Sequence, residues 1–294
     1  MRSAITRYAP APVRAYVRRI VKRYQRAQLD RLPALDAEQF RNILTGRLGV
    51  SHGDVLFVHS SVDRLALPFA FTDVLRILRD VVGAEGTLVF PTYPKLGSAD
   101  FVRSGQVFDV RRTPSFMGAI TEAARRQPGA VRSLHPTKSV CAIGPLAGTL
   151  TDSHFKSPYP YDECSPYYRL MAHNGKIIGL GVAADRISFV HCADDAMKDR
   201  FPVAPYLPTL YDCVCRDYDG SSVVVSTYAH DPSKMNHAVS RFVKRHIRPE
   251  VCEDVQIAGR QFFRCDAQQF FADLVRLAES GHTIYPRSAY RRRG

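Results

Sequence analysis

His191 is followed by Asp194 and Asp195 in the segment Val190-His191-Cys192-Ala193-Asp194-Asp195, the arrangement in this sequence best suited to moving a proton. In a helix, offsets of three and four bring a carboxylate onto the imidazole's face. There it fixes the ring tautomer and leaves the other nitrogen to accept a proton. Such a histidine suits general-base chemistry on an amine, which must be neutral before it attacks an electrophile. The same spacing also serves a structural histidine at a helix cap, and these residues alone leave both readings open. Cys192 raises a thiolate nucleophile as a rival, but no second histidine with an orienting group stands close in sequence.

A second constellation is His59-Ser60-Ser61, directly after the apolar run Val55-Leu56-Phe57-Val58. Donors at a strand end can stabilise an oxyanion, and the competing role is a hydroxyl cap on the next helix. Thr113 and Ser115 precede a helical stretch whose free N–H groups could accept a phosphate, with Arg132, Ser133 and His135 adding charge and donors. The alternative is that Thr113-Pro114-Ser115 simply starts the helix. Gly179-Leu180-Gly181-Val182-Ala183-Ala184 matches a dinucleotide phosphate turn. The acidic residue twenty positions on, Asp199, precedes Arg200-Phe201-Pro202 with no strand, which argues against a dehydrogenase. Seven scattered cysteines contain no Cys-x-x-Cys pair, so they read as reduced packing thiols and no metal is expected.

Elements that position these groups are legible from periodicity. Strands are expected over 54–59, 86–91, 140–144, 176–181 and 223–226, with Cys213 and Cys215 in another strand-like stretch. Helices are expected from Asp36 toward Gly49 and over 71–82, 115–126 and 266–281. This alternation predicts an α/β fold: a single domain with a mixed β-sheet flanked by helices. The 294 residues suffice for one large core, and no repeat or low-complexity linker divides it. Neither a long uncharged apolar run nor a signal peptide is evident, which predicts a cytoplasmic protein.

The charge of +13 is unevenly placed. Residues 1–31 hold nine basic residues against Asp30, or +8, and the tail holds Arg287, Arg291, Arg292 and Arg293, or +4; residues 32–286 are left with +1. A nearly neutral body predicts no nucleic-acid partner. The expected division is a basic amphipathic N-terminal helix within 1–31, a catalytic body over 32–286 and a basic tail over 287–294. In the helix, Val13, Tyr16, Val17, Ile20, Val21 and Tyr24 share one face, and Arg and Lys fill the other. Residues 13–26 thus suit peripheral contact with the inner, anionic face of a membrane, packing on the body or on another subunit of a homo-oligomer, or another polyanion.

Several segments occur in the order that resembles the aminoglycoside 3-N-acetyltransferase family, over about residues 37–275. They are Gly53-Asp54 with Val58-His59-Ser60-Ser61, Gly86-Thr87-Leu88-Val89, Phe108-Asp109 through Gly118, and Pro128 through Pro136. Ser165-Pro166, Gly175 through Gly181, and Ser188 to Asp194 follow them. The last resembles the family's catalytic Thr-x-Leu-His-x-Ala-Glu stretch, with Asp194 in place of Glu. The resemblance implies an acyl-CoA N-acyltransferase that uses acetyl-CoA as co-substrate. His191 would be the base, Asp194 its orienting carboxylate and Ser60 a catalytic donor. His59, Ser60, Ser61, Thr113, Ser115, Arg132, Ser133 and His135 would form the coenzyme A surface.

The amine acceptor is a small molecule for which Asp162, Glu163 and Asp195 are candidate ammonium contacts. Family members that act on polycationic drugs need acidic groups, yet residues 95–112 carry Lys95, Arg103, Arg111 and Arg112 against Asp100 and Asp109. That positive loop favours an amino sugar, nucleotide-linked, over an aminoglycoside antibiotic and a role in resistance. The rival from another class is a non-catalytic relative that binds a membrane or partner.

Overall fold

The computed structural model of the chain describes residues 11–29, 31–235 and 238–290. Its strands are β1 (Val55–Ser60), β2 (Thr87–Pro91), β3 (Phe108–Asp109), β4 (Val131–Arg132), β5 (Val140–Ile143), β6 (Lys176–Leu180), β7 (Tyr206–Arg216), β8 (Ser222–His230), β9 (Cys252–Ile257) and β10 (Arg260–Asp266). The longer helices are numbered with the shorter ones in chain order. In the first half these are α1 (Ala11–Leu29), α2 (Ala37–Asn42), α3 (Phe71–Val82), α4 (Ser98–Arg103) and α5 (Ala119–Arg125). The second half adds α6 (Ala147–Thr151), α7 (Pro166–Arg169), α8 (His191–Met197), α9 (Val239–His246) and α10 (Ala267–Glu279).

One mixed sheet of seven strands runs β4-β5-β2-β1-β6-β10-β9, and a smaller one runs β3-β7-β8. At the centre β1 pairs in parallel with β2 on one side and β6 on the other, while the flanking strands are antiparallel. Strand residues alternate between faces. Val55 and Phe57 join a core with Tyr161, Tyr167, Phe189 and Phe270, whereas Leu56 and Val58 meet Val74, Leu75 and Leu78 of α3 and Ile120 of α5. The predicted mixed sheet flanked by helices is therefore present as a three-layer body.

Local signals explain several boundaries. Asp36 caps α2 in a reciprocal box with Gln39, and Asp266 caps α10 through the Gln269 N–H. The helix expected from Ser115 begins only at Ala119. Ser115 donates its N–H to Glu122 Oε2 at 2.8 Å, and the chain turns at Gly118, with φ of 119°, before the helix starts. Sequence reading also missed the β9–β10 hairpin. Its tight turn is Ala258-Gly259, both at positive φ, and lacks the Asn-Gly or Asp-Gly pair that marks such turns. The arginines at 2, 7 and 291–293 lie outside the described residues.

Two buried guanidiniums staple the loops around the sheet. Arg260 donates to the carbonyls of Leu65, Ala258 and Pro33. Arg132 donates to the carbonyls of Thr92 and Thr113, shares Nε between the hydroxyls of Thr92 and Ser139 at 3.1 Å each, and stacks on Phe108. Burial lowers Arg132 to about 10. This corrects the expectation that Arg132 meets a phosphate: it is 2% exposed and its donors are taken by the protein. Replacing Arg132 by Met would strand two carbonyls in the interior and should cost about 3 kcal/mol of stability, read as a lowered urea midpoint. A midpoint within error of the parent would overturn the staple.

Candidate active site

The carboxyl ends of β1, β2 and β6 open where the strand order reverses around β1, the place where open α/β sheets bind ligands. A cavity of about 290 Å³ lies there, lined by His59, Ser60, Ser61, Arg64, Pro91, Phe116, Met117, Val182 and Arg186. The Oγ of Ser60 and Nε2 of His59 are buried and lack a hydrogen-bond partner among the described residues. Desolvation lowers His59 to about 3, so the ring is neutral and its polar edge is available to a ligand. Ser61 lines the cavity too, but its N–H donates to Leu180 O at 2.8 Å and is not an oxyanion donor. The donor set expected at this turn is corrected to that extent.

Arg64 and Arg186 add two cations, and Lys95 lies over the ring of Phe116 at 5.7 Å. Lys95 belongs to the positive loop read from the sequence, but sequence reasoning passed over Arg64 and Arg186, whose signal was modest: arginines placed just beyond the ends of β1 and β6. The glycines of the supposed phosphate turn have another purpose. A Cβ on Gly179 would meet Phe263 at 2.1 Å, and one on Gly181, at φ of 72°, would meet Ser61 O at 2.4 Å. Close packing, not phosphate, requires them.

His191 opens α8 on the same face of the sheet as His59. Its Nδ1 lies 2.9 Å from Asp194 Oδ2, the one-turn contact expected from the spacing. The hydroxyl of Tyr285 donates to that same oxygen at 2.6 Å and lies 3.2 Å from Nδ1. With Nδ1–H committed to this acceptor, the proton-accepting lone pair resides on Nε2. Tyr285 has no sequence signature, since it lies ninety-four residues from His191, beyond α10. A run of aromatic contacts links the two parts of the site. Ring centroids lie 5.0 Å apart for His59–Phe57, 5.3 Å for Phe57–Tyr167, 4.7 Å for Tyr167–Tyr161 and 5.2 Å for Tyr161–His191. His230 adds a further ring 4.6 Å from His191.

Other expected contacts fall away from this centre. Asp195 accepts from Tyr161 N at 2.8 Å and Tyr206 OH at 2.7 Å, and burial pushes its carboxyl well above the ordinary range. Asp162 accepts from the Ser157 hydroxyl and the Cys164 N–H, and burial raises it too. Both are structural ties rather than ammonium contacts, and only Glu163 of the three is exposed. Thr113 Oγ1 accepts from Asp109 N, and Ser115 Oγ is 2.7 Å from Thr121 Oγ1. Ser133 Oγ bonds His154 Nδ1 at 2.8 Å, and His135 is wholly buried beside His154, their rings stacked at 4.4 Å. None of these four, nor Arg132, lines the cavity. Cys192 is buried, and burial beside Asp195 and Asp194 raises its thiol well above its usual value, so it is no nucleophile.

Residues 57–279 match the family model described as aminoglycoside 3-N-acetyltransferase. The chain belongs to that family. It is 32% identical over 172 residues to aminoglycoside N(3)-acetyltransferase IX of Micromonospora chalcea, covering 52% of this chain and 61% of the relative. It is also 32% identical over 161 residues to aminoglycoside N(3)-acetyltransferase III of Serratia marcescens, covering 50% and 60%. The chain thus spans about three-fifths of the length of the curated relatives it matches. Among solved structures, aminoglycoside acetyltransferase AAC(3)-Xa superposes with a TM-score of 0.72 at 23% identity, covering 90% of this chain and 99% of that one. AAC-IIIb, described as binary with CoASH, superposes at 0.70 with 21% identity, covering 85% and 98%. The fold is shared with both.

Three buried histidines should make the fold acid-sensitive. Desolvation lowers His59 and His154 to about 3 and His135 well below its ordinary value. Unfolded, each takes a proton as pH falls through about 6.5, while the fold refuses it. Their stabilising effect is therefore complete above that pH and lost progressively below it. Each contributes a slope of about 1.4 kcal/mol per pH unit. Urea midpoints at pH 7.5, 6 and 5 should fall steeply; a flat series would refute neutral burial.

Proposed function

We propose that the chain is an acyl-CoA-dependent N-acyltransferase that uses acetyl-CoA and acylates the amine of an amino sugar, with His191 as general base. The observation that carries the reading is the contact of His191 Nδ1 with Asp194, which Tyr285 also holds, an arrangement that orients the ring and fits a general base. Relatives named aminoglycoside N(3)-acetyltransferases support the reaction class, as does a neighbour described as binary with CoASH.

Acetyl-CoA supplies an acyl carbon activated by a thiolate leaving group. The chain's cavity fits such a co-substrate at two levels. Orphaned Ser60 Oγ and His59 Nε2 face a ligand's polar atoms, and Arg64, Arg186 and Lys95 offer charge for phosphates. Nε2 of His191 takes the proton that the amine must lose, and Asp194 stabilises the resulting imidazolium. That proton is then on hand for the departing thiolate. Ser60 donates its hydroxyl to the acyl oxygen as charge builds there, a contribution of about 3 kcal/mol for one well-placed donor.

For the acceptor, the missing acids matter. Asp162 and Asp195 are spent inside the protein, and residues 95–112 carry a net +2. The Lys138 ammonium lies 4.9 Å from the Tyr93 ring, and burial lowers it to about 8. An amino sugar bearing an anionic group, such as a nucleotide-linked one, suits those cations. The second reading, an aminoglycoside, draws on the names of the relatives and on a neighbour described as sisomicin-bound.

His191→Ala should lower kcat/KM by about 10²–10⁴-fold while sparing CoA binding. Tyr285→Phe should lower kcat by about tenfold with KM unchanged, because it supports the base and not the substrate. Thiol release measured with sugar nucleotides and with aminoglycosides separates the two acceptor readings, and turnover of aminoglycosides alone would select the second. Wild-type protein that binds no CoA would instead indicate a non-catalytic relative.

A further inference from the structure

Helix α1 presents its apolar stripe to solvent. Val13, Tyr16, Val17, Ile20 and Tyr24 are 47%, 63%, 37%, 49% and 66% exposed, so the body does not cover this face. Packing of the helix on its own body, one of the roles its sequence allowed, is thereby set aside. At 100° per residue the apolar positions 13, 16, 17, 20, 21 and 24 fill one arc. The cations at 14, 18, 19, 22, 23 and 26 fill the opposite arc, and the helix holds no acidic residue. No helix among the described residues is long and apolar enough to cross a membrane.

We infer that α1 is a surface anchor that lies in the headgroup plane of an anionic phospholipid bilayer. Charge decides between occupants. A second copy of the chain would cover the apolar stripe but bring another six cations and no counter-charge. A nucleic acid would neutralise the cations and leave five large apolar side chains in water. An anionic bilayer alone satisfies both arcs at once, taking Val17 and Ile20 into the acyl boundary while the cations meet the headgroups. The aromatic rings of Tyr16 and Tyr24 suit the interfacial level. The near-neutral body, at +1 over residues 32–286, neither adds to nor opposes the attraction. Nothing in this inference depends on the reaction assigned to the cavity.

The test is flotation of the full chain with vesicles of phosphatidylcholine alone or with about a third phosphatidylglycerol, with acyl transfer in solution as a control for folding. The expected result is flotation with the anionic vesicles only, weakening as salt rises. Val17→Asp with Ile20→Asp, both at exposed positions, should lower partitioning more than tenfold and leave solution activity unchanged. Arg19→Gln with Arg23→Gln should lower it by about 25-fold, each cation being worth about fivefold. Equal recovery with both vesicle types, or undiminished binding by the double Asp variant, would overturn the anchor. A shift from dimer to monomer in that variant, without lipid, would assign the stripe to a second copy instead.

Discussion

Strand β1 is closed on every side, and the site exists because of it. Its faces are covered by the two halves of the core, and its edges are hydrogen-bonded to β2 and β6. A polar side chain placed within it would be buried with no partner. His59 and Ser60 stand at the first positions where the strand meets the crevice, and the parallel direction of β2 and β6 brings Pro91 and Val182 to the same opening. The polar groups of the crevice are thus placed by the packing of apolar residues, without a dedicated loop.

A different constraint governs His191. Its orientation is local, set by a carboxylate one turn away, and the shorter Asp194 suffices because the helical offset already brings its oxygen to Nδ1. Tyr285 is the distant element, and it ties the segment after α10 to the base. The rings of Phe57, Tyr167 and Tyr161 run in contact from His59 to His191 and back both polar groups with apolar surface.

What the sequence made legible follows from which interactions are local. Helices α3 and α10, strands β1, β2, β5 and β6, and the His191–Asp194 contact all rest on periodicity or short spacing, and each lies where those signals put it. The β9–β10 hairpin was hidden because its turn lacks the usual residues. Arg132 misled for a physical reason. A charged residue in a polar segment suggests a ligand site, yet four protein acceptors and the Phe108 face solvate it internally. Asp195 and Asp162 misled in the same way, since their partners, Tyr206, Tyr161 and Ser157, come from packing that no sequence offset reports. Tyr285, Arg64 and Arg186 gain meaning only once strand ends and helix ends are brought together in space.

Arg260 joins parts of the molecule that the chain itself keeps far apart. Its guanidinium holds Pro33 O, in the segment that follows α1, and Leu65 O, next to Arg64 on the cavity wall. The segment that leaves the N-terminal helix is therefore tied at Pro33 to the rim of the crevice. Any surface that holds the helix also holds, a few residues along the chain, the wall of the crevice.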